Sequence, residues 1–324
     1  MVKFIPVRYQ SFNYPEDDDI HPQIQEVTCN LGTERLEGKT CLDYLSLHTD
    51  PSIVWDKWPK KKEKIRNSMI LSEFPTIFNN FRRMIDSGQD CISMLWSNDK
   101  WSKEFAGFLV RLTEIEKVNP QRIKIIEIHS PFDTHCKNLE TFLERYAIFE
   151  NEIIKKFPSA NIVIENQYTH KGKKRFGNFS LSNAEDIKRL SKLISDSEVR
   201  LRLVLDIPQL LSAYYDNKVL SKDEIKAVLD PIIDSDIRNN IKATHIWGYD
   251  NSKTRGAHSA DLNTYFNNNL GTKICFLEKI HDLFNDGEER YFVPEVGSSK
   301  AIESIVKDLR REAGVKFVRV VDPS

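Results

Sequence analysis

From about residue 90 onward, short β-branched runs alternate with stretches whose apolar residues recur every three or four positions, a pattern few folds accommodate. The strand candidates are CISMLW at 91–96, IKIIEIH at 123–129, NIVIEN at 161–166 and LRLVLD at 201–206. ATHIW at 243–247, YFVPEV at 291–296 and VKFVRVV at 315–321 follow, and VKFIPVR at the N-terminus supplies an eighth. Helical stretches such as KNLETFLERYAIFENEIIKKF separate them, and Ser182–Glu185 and Ser221–Glu224 read as capping boxes. Strands alternating with helices predict a parallel sheet, and eight such units in 324 residues predict α/β architecture closed as one (β/α)8 TIM barrel. One domain spanning residues 1–324 is expected. Residues 9–70 show no clear period and read as an irregular insertion, an elaborated N-terminal βα connection within the barrel.

Composition excludes several classes. No apolar run approaches the roughly 20 residues of a membrane span, and MVKFIPVRYQ lacks the apolar core of a signal peptide, so no membrane association is expected. Five scattered cysteines without a CxxC pair suggest neither a disulfide framework nor a thiolate zinc site, and fit a reducing, cytoplasmic compartment. A net charge of −1 argues against a protein that coats nucleic acid by bulk electrostatics. KKKEK at 60–64 reads as a solvated helix face.

The strand candidates end in residue types that bind metals. His129, Glu165, Asp206, His245 and Glu295 stand at or near the C-terminal ends of consecutive runs. A buried strand of a parallel sheet is expected to be nearly all apolar, so a charge there needs a partner. Taken singly, a strand-end carboxylate is more often a helix N-cap or an ion-pair partner. In a barrel, however, all these ends converge on one mouth. Carboxylates that close would raise one another's pKa values unless a cation lay between them. Mixed His and carboxylate ligands suit zinc, manganese or a similar divalent ion.

VIEN at 163–166, LVLDIPQLLSAY at 203–214, THIWGYDNSKTRGAH at 244–258 and VPEVGSS at 293–299 resemble, in order and placement, the xylose isomerase-like TIM-barrel superfamily. That superfamily includes endonuclease IV and the ketose 3-epimerases. The resemblance to the epimerase branch implies one ion held by Glu165, Asp206, His245 and Glu295, with Glu165 and Glu295 as the catalytic acid/base pair. Arg255-Gly-Ala-His258 resembles that branch's substrate-binding loop. The resemblance to endonuclease IV adds His129 and His258 as ligands of further ions. Three departures weaken a complete trinuclear set. Gln209 stands where a histidine is expected, Gly256 or Ala257 where an aspartate is expected, and Trp96 where an early strand histidine is expected. One or two ions are therefore expected.

The loop after Glu165 carries Lys171, Lys173, Lys174 and Arg175, with Tyr168 and Phe176 as aromatic neighbours. Such residues contact phosphates and stack on bases. With Gln209 and Arg255 they form the candidate substrate-binding set, although an exposed solubilising loop would look the same. The leading expectation is a metal-dependent phosphodiester hydrolase acting on nucleic acid, similar to endonuclease IV. A sugar or sugar-phosphate isomerase or epimerase is the alternative, with a phosphorylated sugar as substrate. A non-catalytic ligand-binding barrel, or a subunit of a larger assembly, is the third reading.

Overall fold

A computed structural model describes residues 1–10, 12–14, 20–31, 35–36, 41–49, 53–54, 59–89, 91–169, 177–215, 219–250, 252 and 257–320. Eight parallel strands close into a ring: β1 (Val2–Arg8), β2 (Ile24–Thr28), β3 (Tyr44–His48), β4 (Ile123–His129), β5 (Asn161–Glu165), β6 (Arg202–Asp206), β7 (Ile241–His245) and β8 (Glu289–Val293). Each pairs with its neighbours in chain order, and β8 returns to β1 along Lys3–Pro6. The fold is therefore the (β/α)8 barrel that the alternation predicts.

Two of the staves differ from those expected. Residues 9–70, read as an irregular connection, contain β2 and β3. Both are only five residues long, too short to show a clear period in so polar a segment. The expected strand at 91–96 is instead a two-residue piece, Cys91–Ile92, paired antiparallel with Ile53–Val54 outside the ring. The expected strand at 315–321 is regular only over Val315–Phe317, which pairs with the first half of β1 as a ninth strand.

Helices cover the ring from β3 onward. The longest connection, between β3 and β4, carries helices Pro59–Arg66, Met69–Ser72, Pro75–Asp86 and Asp99–Ile115. Later helices begin at side-chain caps that satisfy orphan N–H groups. Ser221 and Glu224 form the expected capping box, but the other box is shifted by one residue to Asn183 and Asp186.

Side-chain alternation along the staves decides what the barrel holds. Ile5, Val7, Ile24, Ile125, Val163, Val204, Ala243, Tyr291 and Val293 pack together as an apolar floor within the ring. Strand periodicity of two then turns the next inward position, at the C-terminal mouth, into a polar one. Ile24 is thus followed by Glu26, Ile125 by Glu127, Val163 by Glu165, Val204 by Asp206, Ala243 by His245, and Val293 by Glu295. No helix among the described residues is long and apolar enough to cross a membrane.

Candidate metal centre

Strand register sets the charged residues against one another. His129 lies opposite Glu165, Asp206 opposite His245, and His48 opposite Glu127. The side chains close the remaining gaps. His129 Nε2 is 2.7 Å from Glu165 Oε2, and His48 Nδ1 is 3.0 Å from Glu127 Oε1. His245 is central: Nε2 is 3.2 Å from Glu127, and Nδ1 is 3.6 Å from Glu165, 3.5 Å from Glu295 and 4.0 Å from Asp206. His258 Nδ1 lies 3.3 Å from Glu295 Oε2 and 3.1 Å from its main-chain oxygen.

The sequence-predicted residues Glu165, Asp206, His245, Glu295, His129 and His258 are thus brought together. Gln209 lines the same cavity, its backbone N–H donating to Asp206 Oδ1 at 2.8 Å. Lys171, Lys173, Lys174, Arg175 and Arg255 lie outside the described residues.

Sequence reading missed Glu26, His48 and Glu127. Glu127 carried a legible signal, since IKIIEIH puts it two residues before His129 and hence on the same face. Glu26 and His48 were hidden because their staves went unrecognised. Trp96 stands where an early-strand histidine is expected, but a histidine of an early stave, His48, does reach the mouth. Trp96 has a different role: it is off the ring, and its indole N–H donates to the His129 carbonyl at 2.8 Å.

The site's polar atoms fit a cation. Glu26 Oε2, His48 Nδ1, Glu127 Oε1, His129 Nε2 and both ring nitrogens of His245 are buried with no hydrogen-bond partner among the described residues. They lie close together without the angles of hydrogen bonds. Leaving buried polar groups unsatisfied costs about 1–3 kcal/mol each, so their clustering calls for a shared partner. His129 shows the geometry most directly. Its Nδ1 faces the Thr49 carbonyl, which accepts the ring proton and leaves the Nε2 lone pair aimed at Glu165. A lone pair and a carboxylate that close repel unless a cation or proton joins them, and a carbonyl behind the ring is the usual support of a ligating histidine.

Electrostatics agree. Burial, reinforced by the charges of Glu295 and Glu127 against the pull of His48, pushes Glu26 up to about 8. Burial with the Glu165 and Glu295 charges raises Asp206 well above its ordinary value. Burial opposes ionisation of Glu127, Glu165 and Glu295 too, but neighbouring histidines overcome it and hold all three low. Burial would lower His48 and His245, yet the Glu127 charge and its neighbours raise both well above normal. These directions favour the protonated forms of Glu26, Asp206, His48 and His245, balancing charge that divalent ions could balance instead.

Among the described residues, three candidate ligand sets have atoms mutually within 4.8 Å: His48, Glu127, His129 and Glu165; Glu165, Asp206, His245 and Glu295; and Glu26, His48 and Glu295. A cavity of about 270 Å³ opens over them, with Tyr9, Gln10, Thr28 and Gln167 on its walls. Trp247 braces one side, donating its indole N–H to Asp206 Oδ2 at 2.9 Å and stacking on His258 at 4.2 Å between ring centroids. His258 itself sits at φ 55°, the left-handed backbone that non-glycine residues adopt at some energetic cost, as is common at functional sites.

Fold and site together define a (β/α)8 barrel with His and carboxylate clusters that could hold metal at its C-terminal mouth. No protein-family model matches the chain, and no curated protein sequence matches it. Among solved structures, the crystal structure of AsfvAP:AG is 9% identical, covers 94% of this chain and 95% of its own, and superposes with a TM-score of 0.47. The Paramecium bursaria Chlorella virus arginine decarboxylase is 12% identical over 61% of this chain and 54% of its own, with a TM-score of 0.27. At that level of similarity neither match bears on the chemistry; the fold class rests on the closed sheet itself.

Proposed function

We propose that this chain is a divalent-metal-dependent hydrolase of phosphodiesters in nucleic acid, with a two-ion centre related in kind to that of endonuclease IV. The observation that supports it is the sharing of Glu165 by two ligand sets. Its carboxylate lies between His129 and His245, so one oxygen can serve each set. A carboxylate shared by adjacent sites suits a pair of ions better than the single ion that the resemblance to the epimerase branch implies.

Zinc or manganese fits the mixed nitrogen and oxygen donors. When bound, such ions would supply Lewis-acid stabilisation of the charge that develops on phosphoryl oxygens. The chain's own groups do the rest. Glu165 and Glu295 would serve here as ligands; the acid/base role that the epimerase resemblance gives them belongs to the isomerase reading. His258 has Nδ1 engaged with the Glu295 main chain, which leaves Nε2 for a ligand. The apolar floor of the barrel keeps water from entering from below. Lys171, Lys173, Lys174 and Arg175 follow Glu165 closely in sequence, and with Arg255 they would hold the phosphate backbone.

The test is cleavage. Metal-reconstituted protein is incubated with single- and double-stranded oligonucleotides, intact and carrying an abasic site, with and without chelator. Strand scission that is lost with chelator and in Glu165→Gln is expected. Absence of scission, with solvent hydrogen exchanging into a ketose or ketose phosphate, would replace this reading with the isomerase one. The quartet Glu165, Asp206, His245 and Glu295 is the feature that would carry such chemistry.

A further inference from the structure

We propose that Glu26, His48 and Glu295 form a third divalent-cation position, distinct from the two that meet on Glu165. The inference rests on the metal reading above and extends it to Glu26, which that reading does not use. Its ligands come from β2, β3 and the segment after β8, which lie side by side with β1 where the ring closes.

Glu26 is the residue that no other set accounts for. It faces inward by strand alternation from Ile24, is 2% exposed, and its Oε2 has no hydrogen-bond partner among the described residues. The nearest cationic group is His48, whose Nδ1 is 3.9 Å away, too far for a hydrogen bond but a natural span for two ligands of one ion. Two atoms about 2.0–2.2 Å from the same zinc, at tetrahedral angles, stand roughly 3.3–3.6 Å apart, and a small rotamer change closes the difference. Glu295 completes the set through the carboxylate it also turns toward His245.

The three sets then run around the barrel in sequence: β3 to β5, β5 to the segment after β8, and from there back to β2 and β3. Each adjoining pair shares one residue: Glu165, Glu295 or His48. Two of those shared residues are carboxylates, which have an oxygen for each neighbour. His48 has a single lone pair when neutral, so an ion beside Glu26 takes it from the first set. That set keeps Glu127, His129 and Glu165, and three protein ligands suffice for a site with an open position. Charge supports the count. Glu26, Glu127, Glu165, Asp206 and Glu295 supply five negative charges when ionised, which two divalent ions leave one short of neutral. A third gives a net positive mouth, next to the cavity walls formed by Tyr9, Gln10 and Thr28. Such a mouth takes an oxyanion such as a phosphate as its outer ligand.

The experiment combines stoichiometry with location. Protein stripped with chelator is titrated with Zn²⁺ to saturation, and crystals soaked in Zn²⁺ are recorded at the zinc absorption edge. An anomalous peak bonded to Glu26, His48 and Glu295 is expected, and Glu26→Gln should lose that peak and one ion per chain while the peak at Glu165, Asp206, His245 and Glu295 remains. A wild-type map with the quartet peak but none beside Glu26 overturns this inference and leaves the proposed function standing. Unchanged stoichiometry in Glu26→Gln overturns it likewise. A map with no peak anywhere in the mouth overturns both.

Discussion

Trp247→Phe isolates the support of the metal quartet from the quartet itself. The indole donates to Asp206 Oδ2 at 2.9 Å and stacks on His258 with 27° between the ring planes. Both Trp247 and Asp206 are buried, so water cannot replace the lost donor. Phenylalanine keeps an aromatic face for His258 and deletes only the N–H and the second ring. Asp206 retains one hydrogen bond, from the Gln209 N–H at 2.8 Å. A hydrogen bond to a charged group contributes about 1.5–3 kcal/mol. Without metal, Asp206 is held toward its neutral form, so the lower end of that range applies, plus a smaller contribution from the void left by the truncated ring. With metal, Asp206 must be ionised and correctly turned. Loss of a supporting donor behind a ligand weakens metal affinity by about 10–100-fold. Competition against a chromophoric chelator reads that change, and urea unfolding in chelator reads the stability change separately. Wild-type metal affinity in a folded but destabilised variant would refute the reasoning, since Trp247 would then be packing alone.

Three further outcomes follow from the same geometry. Asp206→Ala and Glu295→Ala should each lower metal occupancy without abolishing the thermal unfolding transition, because mouth residues are held by the staves; a lost transition with metal retained would mark them as structural. Replacing Lys171, Lys173, Lys174 and Arg175 with alanine should make the slope of log affinity for nucleic acid against log salt shallower by roughly 0.7–0.9 for each phosphate no longer neutralised, with the metal retained; an unchanged slope excludes the loop from phosphate binding. Asp286 pairs with the buried Arg290 guanidinium at 2.6 and 2.8 Å, and although burial opposes its ionisation, the guanidinium holds its carboxyl below the ordinary value. That pair contributes stability above the unfolded carboxylate pKa, lost as pH falls through the lower folded one, so Asp286→Asn should cost about 1–3 kcal/mol at neutral pH and little in strong acid; equal costs at both, by urea unfolding, would contradict the assignment.

What could be read from sequence depended on segment length and spacing. β4 through β8 were legible because each is a compact apolar run ending in a polar residue, with a long amphipathic helix to the next. The same logic located His129, Glu165, Asp206, His245 and Glu295. It failed at β2 and β3, where five-residue staves sit among proline, aspartate and asparagine with no described helix between them. Two candidate ligands, Glu26 and His48, were lost with those staves. Glu127 is hidden for a different reason: it lies inside the run IKIIEIH rather than at its end, although alternation sends residues 127 and 129 to the same side. Trp247 could not have been found, because its link to Asp206 spans 41 residues and depends on the β6–β7 register.

On the function proposed, this barrel mouth holds more than one divalent ion. Elemental analysis of protein purified without chelator, then reconstituted with Zn²⁺ or Mn²⁺ and desalted, measures it directly. At least two ions per chain are predicted for the wild type, with a loss greater than one in Glu165→Gln, whose carboxylate both sets share. A wild-type protein that retains no stoichiometric metal after reconstitution would contradict the account, and one that retains a single ion unaffected by Glu165→Gln would contradict the sharing on which the proposed chemistry depends.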